Sequence, residues 1–209
     1  MTLYTKLKDK YGDNNPFLLS EVKNDFSEYS YDSLRNTLSI YVKEDKLRRF
    51  DVGIYYFPKM GLLGERRPSI YEILEKKYLK IDGHISGFYT GLNLLNMVGQ
   101  TTQVPNTIEI TTNAETNIKR VIQIGRQKVI LRRPLFEIND ENYAYHQFMD
   151  IFRYADLFTL MADNDGVMEY IREKGLTKKK VIETLKYYPK RAFSYFCGSG
   201  NYWDAFRQE

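Results

Sequence analysis

From Leu3 to Asp45 the apolar residues recur every three or four positions, and from Leu47 to Phe57 the beat shortens to that of paired strands. Leu3, Leu7 and Tyr11 fall on one stripe of an opening helix that closes at Gly12 and the turn Asp13-Asn14-Asn15-Pro16. Leu18, Leu19, Val22 and Phe26 repeat the pattern in a second helix. After the polar stretch Ser27-Glu28-Tyr29-Ser30 a third helix is predicted from Tyr31 to Asp45. Ser30 suits its N-cap, and Asp32 places negative charge in the first turn, where the helix dipole favours it. Leu34, Leu38, Tyr41 and Val42 share its inner face at about 100° per residue. Leu47-Arg48-Arg49-Phe50, the turn Asp51-Val52-Gly53 and Ile54-Tyr55-Tyr56-Phe57 then read as a hairpin.

Helix, helix, helix and hairpin at these spacings predict a winged helix-turn-helix, which lays its third helix in the major groove of DNA. The outward face of that helix holds Asp32, Asn36, Ser39, Ile40 and Lys43, with Arg35 and Lys46 at its flank. Asn can pair both edges of adenine and Arg both acceptors of guanine. The expected DNA-binding set is therefore Arg35, Asn36, Ser39 and Lys43 at the groove, with Ser30, Lys46, Arg48 and Arg49 on the backbone. Residues 1–59 hold ten Lys or Arg against nine Asp or Glu, so any attraction for nucleic acid has to be local. The competing reading is an amphipathic helix with a wet outer face.

Past Pro58 the composition changes, and residues 60–68 read as a linker between a DNA-binding domain over 1–59 and a second domain over 69–209. A helix is expected from Ser69 to Lys80, and an apolar one from Phe88 to Val98, ended by Gly99. Strands follow at Thr107–Thr112, Lys119–Ile124 and Lys128–Arg133, the last two joined by Gly125-Arg126-Gln127, giving a small antiparallel sheet within 69–135. Residues 136–209 look helical, with breaks at Asn164-Asp165-Gly166, Gly175 and Pro189. The fold class is α+β, a winged helix-turn-helix followed by a mixed α/β domain with a helical C-terminal part. Arg120, Arg126, Lys128, Arg132 and Arg133 form a second basic cluster on the hairpin, with Lys128 and Arg132 on one face by strand alternation.

Composition narrows the function classes. One cysteine, Cys197, excludes an intramolecular disulfide framework. No run of about 18 apolar residues offers a membrane span, and the opening residues lack a signal-peptide core. A cytoplasmic protein is the expectation. The net charge of +4 and pI near 8.9 permit nucleic acid without demanding it. An acidic stretch over 134–169 precedes a basic one over 172–191, which suits separate partners or ordinary solvated helix surface.

No catalytic, metal or cofactor constellation emerges, and the chain does not read as an enzyme. His84 and His146 stand sixty-two residues apart with no second ligand at metal spacing. Lys59, Gly61 and Gly64 lack the spacing of a phosphate loop. Asp163 and Asp165, around Asn164, lack the terminal ligand of a calcium loop. Tyr187, Tyr188, Phe193, Tyr195, Phe196, Tyr202, Trp203 and Phe206 fit the core of a small helical subdomain better than a stacking platform for single strands or a partner-binding surface.

The stretches Gly53-Ile54-Tyr55-Tyr56-Phe57-Pro58-Lys59 and Ser86-Gly87-Phe88-Tyr89-Thr90-Gly91-Leu92-Asn93-Leu94-Leu95 resemble bacterial AbiEi-type antitoxins. Gln103-Val104-Pro105-Asn106, Thr111-Thr112-Asn113 and Ile124-Gly125-Arg126 fit the same pattern, and the resemblance covers most of residues 17–155. It implies a type IV toxin–antitoxin protein linked to abortive phage infection. Its winged helix would repress its own operon at inverted repeats, as a monomer or cooperatively. Its second domain would counter a nucleotidyltransferase-like toxin without a stable complex. Ser39-Ile40-Tyr41 stands where relatives often carry a basic residue, and Glu44-Asp45 adds acid near the helix end. Two rivals follow from the residues: a protein-interaction adaptor on a winged-helix scaffold, and an enzyme reversing a toxin's modification.

Overall fold

Residues 2–62, 64–162, 165–198, 202 and 204–206 are described by the computed structural model, which has a mixed α/β architecture. Asp163, Asn164 and Trp203, weighed above, lie outside these residues. The chain divides into two units, Met1–Lys77 with Ile124–Arg126, and Tyr78–Gln123 with Gln127–Glu209.

In the first unit α1 (Leu3–Tyr11) is capped by Thr2 and closed by Gly12, as the pattern predicts. The second helix is shorter than expected. Phe17–Leu18 forms a strand, β1, and α2 occupies Leu19–Asp25. The Glu21 carboxylate accepts from the Leu18 amide at 2.7 Å and so marks the start of α2. α3 runs Tyr31–Lys43, with Ser30 accepting from the Ser33 amide at 3.2 Å. β2 (Arg48–Asp51) and β3 (Ile54–Tyr56) form the hairpin, and Gly53 supplies the positive φ of its turn. The sheet order is β1-β3-β2, with both contacts antiparallel. β1 is the element the periodicity conceals, because two residues are too few to show an alternation.

Leu7, Phe17, Leu19, Val22, Leu34, Leu38, Leu47 and Phe57 are buried together and hold these elements on one core. Tyr11 stacks on Phe17 with centroids 4.4 Å apart, and its hydroxyl donates to Asp25 at 2.6 Å. Burial and the adjacent carboxylate push the Tyr11 phenol well above its usual range, so the hydroxyl keeps its proton and the tie between α1 and α2. Tyr41 and Val42 are only partly buried at the edge of this core.

The stretch read as a linker is ordered. β4 (Lys59–Gly61) and β5 (Gly64–Arg66) pair antiparallel as a ribbon. Glu65 explains why: it accepts from Tyr56 at 3.0 Å and from Arg48 Nε at 3.0 Å, anchoring a Gly-rich segment by charge. α4 (Ile70–Leu74) starts at a Ser69–Glu72 capping box and continues as a π-turn over Glu75–Leu79.

The second unit opens with the short hairpin β6 (Lys80–Ile81) and β7 (His84–Ile85). The apolar helix expected over 88–98 is corrected to a strand, β8 (Gly87–Tyr89), then α5 (Gly91–Met97). A continuous apolar run cannot separate a buried strand from a helix. β9 (Thr107–Thr112), β10 (Lys119–Ile124) and β11 (Gln127–Arg132) match the predicted strands closely.

Their pairing departs from the expected antiparallel sheet. The order is β10-β11-β9-β8, with β11 parallel to β9. The connection after β9 therefore crosses to the outer edge before the chain returns. Buried Glu115 organises that crossing, accepting from the Asn117 amide at 2.9 Å and from Arg120 Nε at 2.5 Å.

α6 (Tyr143–Tyr154), α7 (Leu157–Ala162), α8 (Asp165–Lys174), α9 (Lys178–Leu185) and α10 (Lys190–Gly198) complete the unit. Phe148 and Phe152 of α6 pack edge-to-face on Phe196, and Tyr202 and Phe206 join the same cluster. The C-terminal aromatics thus serve mainly as core, although Tyr187 and Phe193 are about half exposed. A Cβ at Gly166 would lie 2.2 Å from the Val98 carbonyl oxygen, so α8 can approach the end of α5 only through a glycine. Among the described residues no helix is long and apolar enough to cross a membrane.

Candidate functional site

The polar face of α3 is the largest set of predicted site residues that the structure brings together. Its position follows from the inner face: burying Leu34 and Leu38 at full depth leaves the opposite side of the helix in solvent. Arg35, Asn36, Ser39 and Lys43 are all exposed. Arg35, Ser39 and Lys43 follow one another at four-residue steps, and Asn36 lies beside Ser39 and Ile40 on the next row. None of these four side chains has a hydrogen bond or ion pair among the described residues. Thirteen residues of helix extend about 20 Å, long enough to place several side chains along one groove.

Two residues at the start of α3 were missed from sequence. Tyr31 is 51% exposed, and Ser33 is also exposed. Their position relative to the Ser30 cap could have found them, since first-turn residues off the buried stripe of a helix face solvent. Ser30 itself is committed to capping through its hydroxyl.

The basic residues around the hairpin divide into two kinds. Arg49 is exposed, and its side chain donates to the Asp51 carbonyl at 3.3 Å. Arg48, expected on the DNA backbone, is turned inward. It bridges Asp45 and Glu65, with its Nε 3.0 Å from the Glu65 carboxylate. The Asp45 bond first, then Glu65, raises the guanidinium pKa further and fixes it as a cross-link within the unit. Lys46 lies 2.8 Å from Glu44, which removes part of its charge from any partner. The acid Glu44-Asp45 thus acts by pairing neighbouring bases.

The second basic cluster does not act as one surface. Arg120 is spent on Glu115, whose carboxyl is held below its usual range; burial opposes this, but the bonds from Asn117 and Arg120 prevail. Arg132 donates twice to Glu109, at 3.1 and 2.7 Å. Lys128 and Arg133 are exposed on and after β11, while Arg126 is exposed in the turn counted with the first unit. Strand alternation puts Lys128 and Arg132 on one side, yet only Lys128 keeps an uncommitted charge.

Among the described residues no group of three His, Cys, Asp or Glu side chains is placed to hold a metal ion. His84 is exposed and bonds Asp140 at 2.8 Å. His146 is buried against Tyr188, at 3.1 Å, and burial lowers its pKa to about 3, so the ring is neutral near pH 7. Cys197 is an exposed free thiol.

The molecule is thus a two-unit mixed α/β protein with an exposed polar helix in its first unit. Residues 17–135 match the model of DUF6088, described as a family of unknown function, and the chain belongs to that family. The matched span runs from β1 to just past β11, taking in α3, the hairpin and the four-stranded sheet, and omitting α1 and α6 to α10. No curated protein matches the chain.

Proposed function

We propose that the first unit is a winged helix-turn-helix that binds double-stranded DNA, and that the protein represses its own operon as the antitoxin of a type IV toxin–antitoxin pair. The observation that carries the DNA-binding part is the row Arg35, Asn36, Ser39 and Lys43, unpartnered among the described residues, on a helix whose other face buries Leu34 and Leu38 completely. The order α1-β1-α2-α3-β2-β3, with β3 central in its sheet, supports the winged-helix reading. Arg35 and Asn36 have the donor patterns for guanine and adenine edges, with Tyr31 and Ser33 one turn earlier. Lys43 and Arg49 contact phosphates, and Arg48 braces the wing from within. The antitoxin role rests on the resemblance to AbiEi-type proteins, in which a second domain counters a nucleotidyltransferase-like toxin.

Gel shifts with the DNA upstream of the gene test the first part. The wild type should give a discrete, sequence-dependent complex, and Arg35→Ala with Asn36→Ala should reduce it to the retention seen with unrelated DNA. Weak, sequence-indifferent retention by the wild type would reject operator binding and leave the adaptor reading. The second part is tested by coexpression with a nucleotidyltransferase-like toxin gene, sought in the reading frame next to this one. Growth arrest that this protein fails to relieve would reject the antitoxin role.

A further inference from the structure

The loops flanking β10 and β11 in the second unit enclose a cavity of about 360 Å³ lined by Ile118, Arg132, Arg133, Pro134, Leu135 and Arg153. That volume lies in the range of small-molecule sites. Three arginines line it, from two stretches distant in sequence, the end of β11 and the last turn of α6.

Their charge is incompletely balanced from within. Arg132 is held by Glu109. Arg153 meets a carboxylate loosely, 3.5 Å from Asp150 Oδ1. The Arg133 side chain has no partner among the described residues. Asp150 is almost wholly buried, takes the Thr90 hydroxyl on Oδ2 at 2.5 Å, and leaves Oδ1 without a hydrogen bond. Burial pushes that carboxyl up, which weakens it as a counter-charge to Arg153.

The site is also pre-set. The Tyr154 ring lies 5.6 Å from the Arg132 guanidinium and 5.3 Å from that of Arg153, so both planes are steadied before anything binds. Beside the cations stand apolar groups with no core to join: Ile118 is 78% exposed and Leu135 48%.

We propose that this cavity binds a small organic phosphate monoester, its phosphoryl group between Arg133 and Arg153 and its body against Ile118, Pro134 and Leu135. A monoester offers three terminal oxygens and up to two charges to rigid guanidinium forks, where a backbone diester offers two oxygens and one charge. The apolar rim favours a ligand with a flat or carbon-rich body over inorganic phosphate. The proposal is independent of DNA binding by α3, which belongs to the other unit.

Calorimetric titration of the full chain at physiological salt tests it, with uridine 5′-monophosphate, ribose 5-phosphate, inorganic phosphate and uridine as probes. Saturable binding of at least one monoester, tighter than inorganic phosphate, is expected, with none for uridine. Binding by both monoesters would assign recognition to the phosphoryl group, and by the nucleotide alone to the base as well. Arg133→Ala, an exposed site whose loss spares the fold, should weaken binding about tenfold or more. Arg133→Lys should recover part of it, and Arg172→Ala, on exposed α8 surface outside the cavity, should change nothing. No saturable binding of either monoester, binding no tighter than inorganic phosphate, equal binding of uridine, or equal losses at Arg133 and Arg172 would overturn the proposal.

Discussion

α3 and α6 are the two longest helices among the described residues, and they use polar side chains in opposite ways. On α3, Arg35, Asn36, Ser39 and Lys43 are exposed, with no side-chain partner among the described residues. On α6 an unbroken run from Ala144 to Phe152 is buried, and its polar members are built into the unit. His146 sits 3.1 Å from the Tyr188 hydroxyl, which donates in turn to the His146 carbonyl at 2.9 Å. Gln147 donates to the Tyr89 carbonyl at 3.0 Å and accepts from Tyr170 at 2.8 Å. Polarity on α6 specifies which strands and helices surround it, since each buried group must find its partner. The row Arg35, Asn36, Ser39 and Lys43 on α3 holds no other element in place among the described residues and remains available for a ligand.

The contrast breaks most sharply in the core of the second unit. Phe148 is fully buried and meets Phe152, Phe196 and Phe206 edge-to-face. Phe148→Ala should cost about 3–5 kcal/mol in chemical denaturation. An Asn36→Ala variant, by contrast, should unfold within about 0.5 kcal/mol of wild type, as surface changes do. Comparable losses at the two positions would mean that the α3 face is packed in solution.

Acid provides a second separation. His146 is neutral when folded, with a pKa near 3, against an unfolded value near 6.5. Below pH 6.5 the unfolded chain therefore takes up a proton that the folded chain refuses. Stability falls as pH drops toward 3, by up to about 1.4 kcal/mol per unit from this group. Denaturation between pH 6.5 and 4.5 should show a shallower slope in His146→Gln than in wild type. Equal slopes would place the ring in contact with water.

For α3 the readout is binding. Arg35→Ala and Asn36→Ala should each lower operator affinity by about 1–3 kcal/mol and relax preference at the base they read. Lys43→Ala should instead weaken all sequences alike and reduce the salt slope by about 1. Competition assays over a range of salt distinguish these patterns, and a uniform loss at Arg35 would demote it to a phosphate contact.

Legibility from sequence followed the same division. α1, α3, the hairpin and strands β9 to β11 announce themselves because each has a cap, a turn residue or a sustained period. β1, β8 and the β4–β5 ribbon do not, being two or three residues long or held by a side chain from elsewhere, as Glu65 holds β5. The parallel contact between β9 and β11 rests on a crossing pinned by Glu115, and local pattern carries no information about which strand lies between two others. The exposed row on α3 was readable because burying Leu34 and Leu38 dictates it. Spatial pairing was not readable: it turned Arg48, Arg120 and Arg132 into structural cations and drew Arg153, from an acidic stretch of sequence, toward Arg133.

The smallest effect offers the finest test of that last point, at two adjacent arginines. Arg48 and Arg49 are indistinguishable by sequence, but one spans Asp45 and Glu65 and the other stands in solvent. Arg48→Ala should lower stability slightly but measurably in chemical denaturation, since the pairs it loses are partly exposed. It should leave the salt dependence of DNA binding unchanged. Arg49→Ala should leave stability within error and reduce the salt slope by about 1, the signature of one lost phosphate contact. The reverse assignment would mean that DNA pulls Arg48 out of its bridge. In that case Glu65→Gln, which loosens the bridge in advance, should tighten binding relative to wild type.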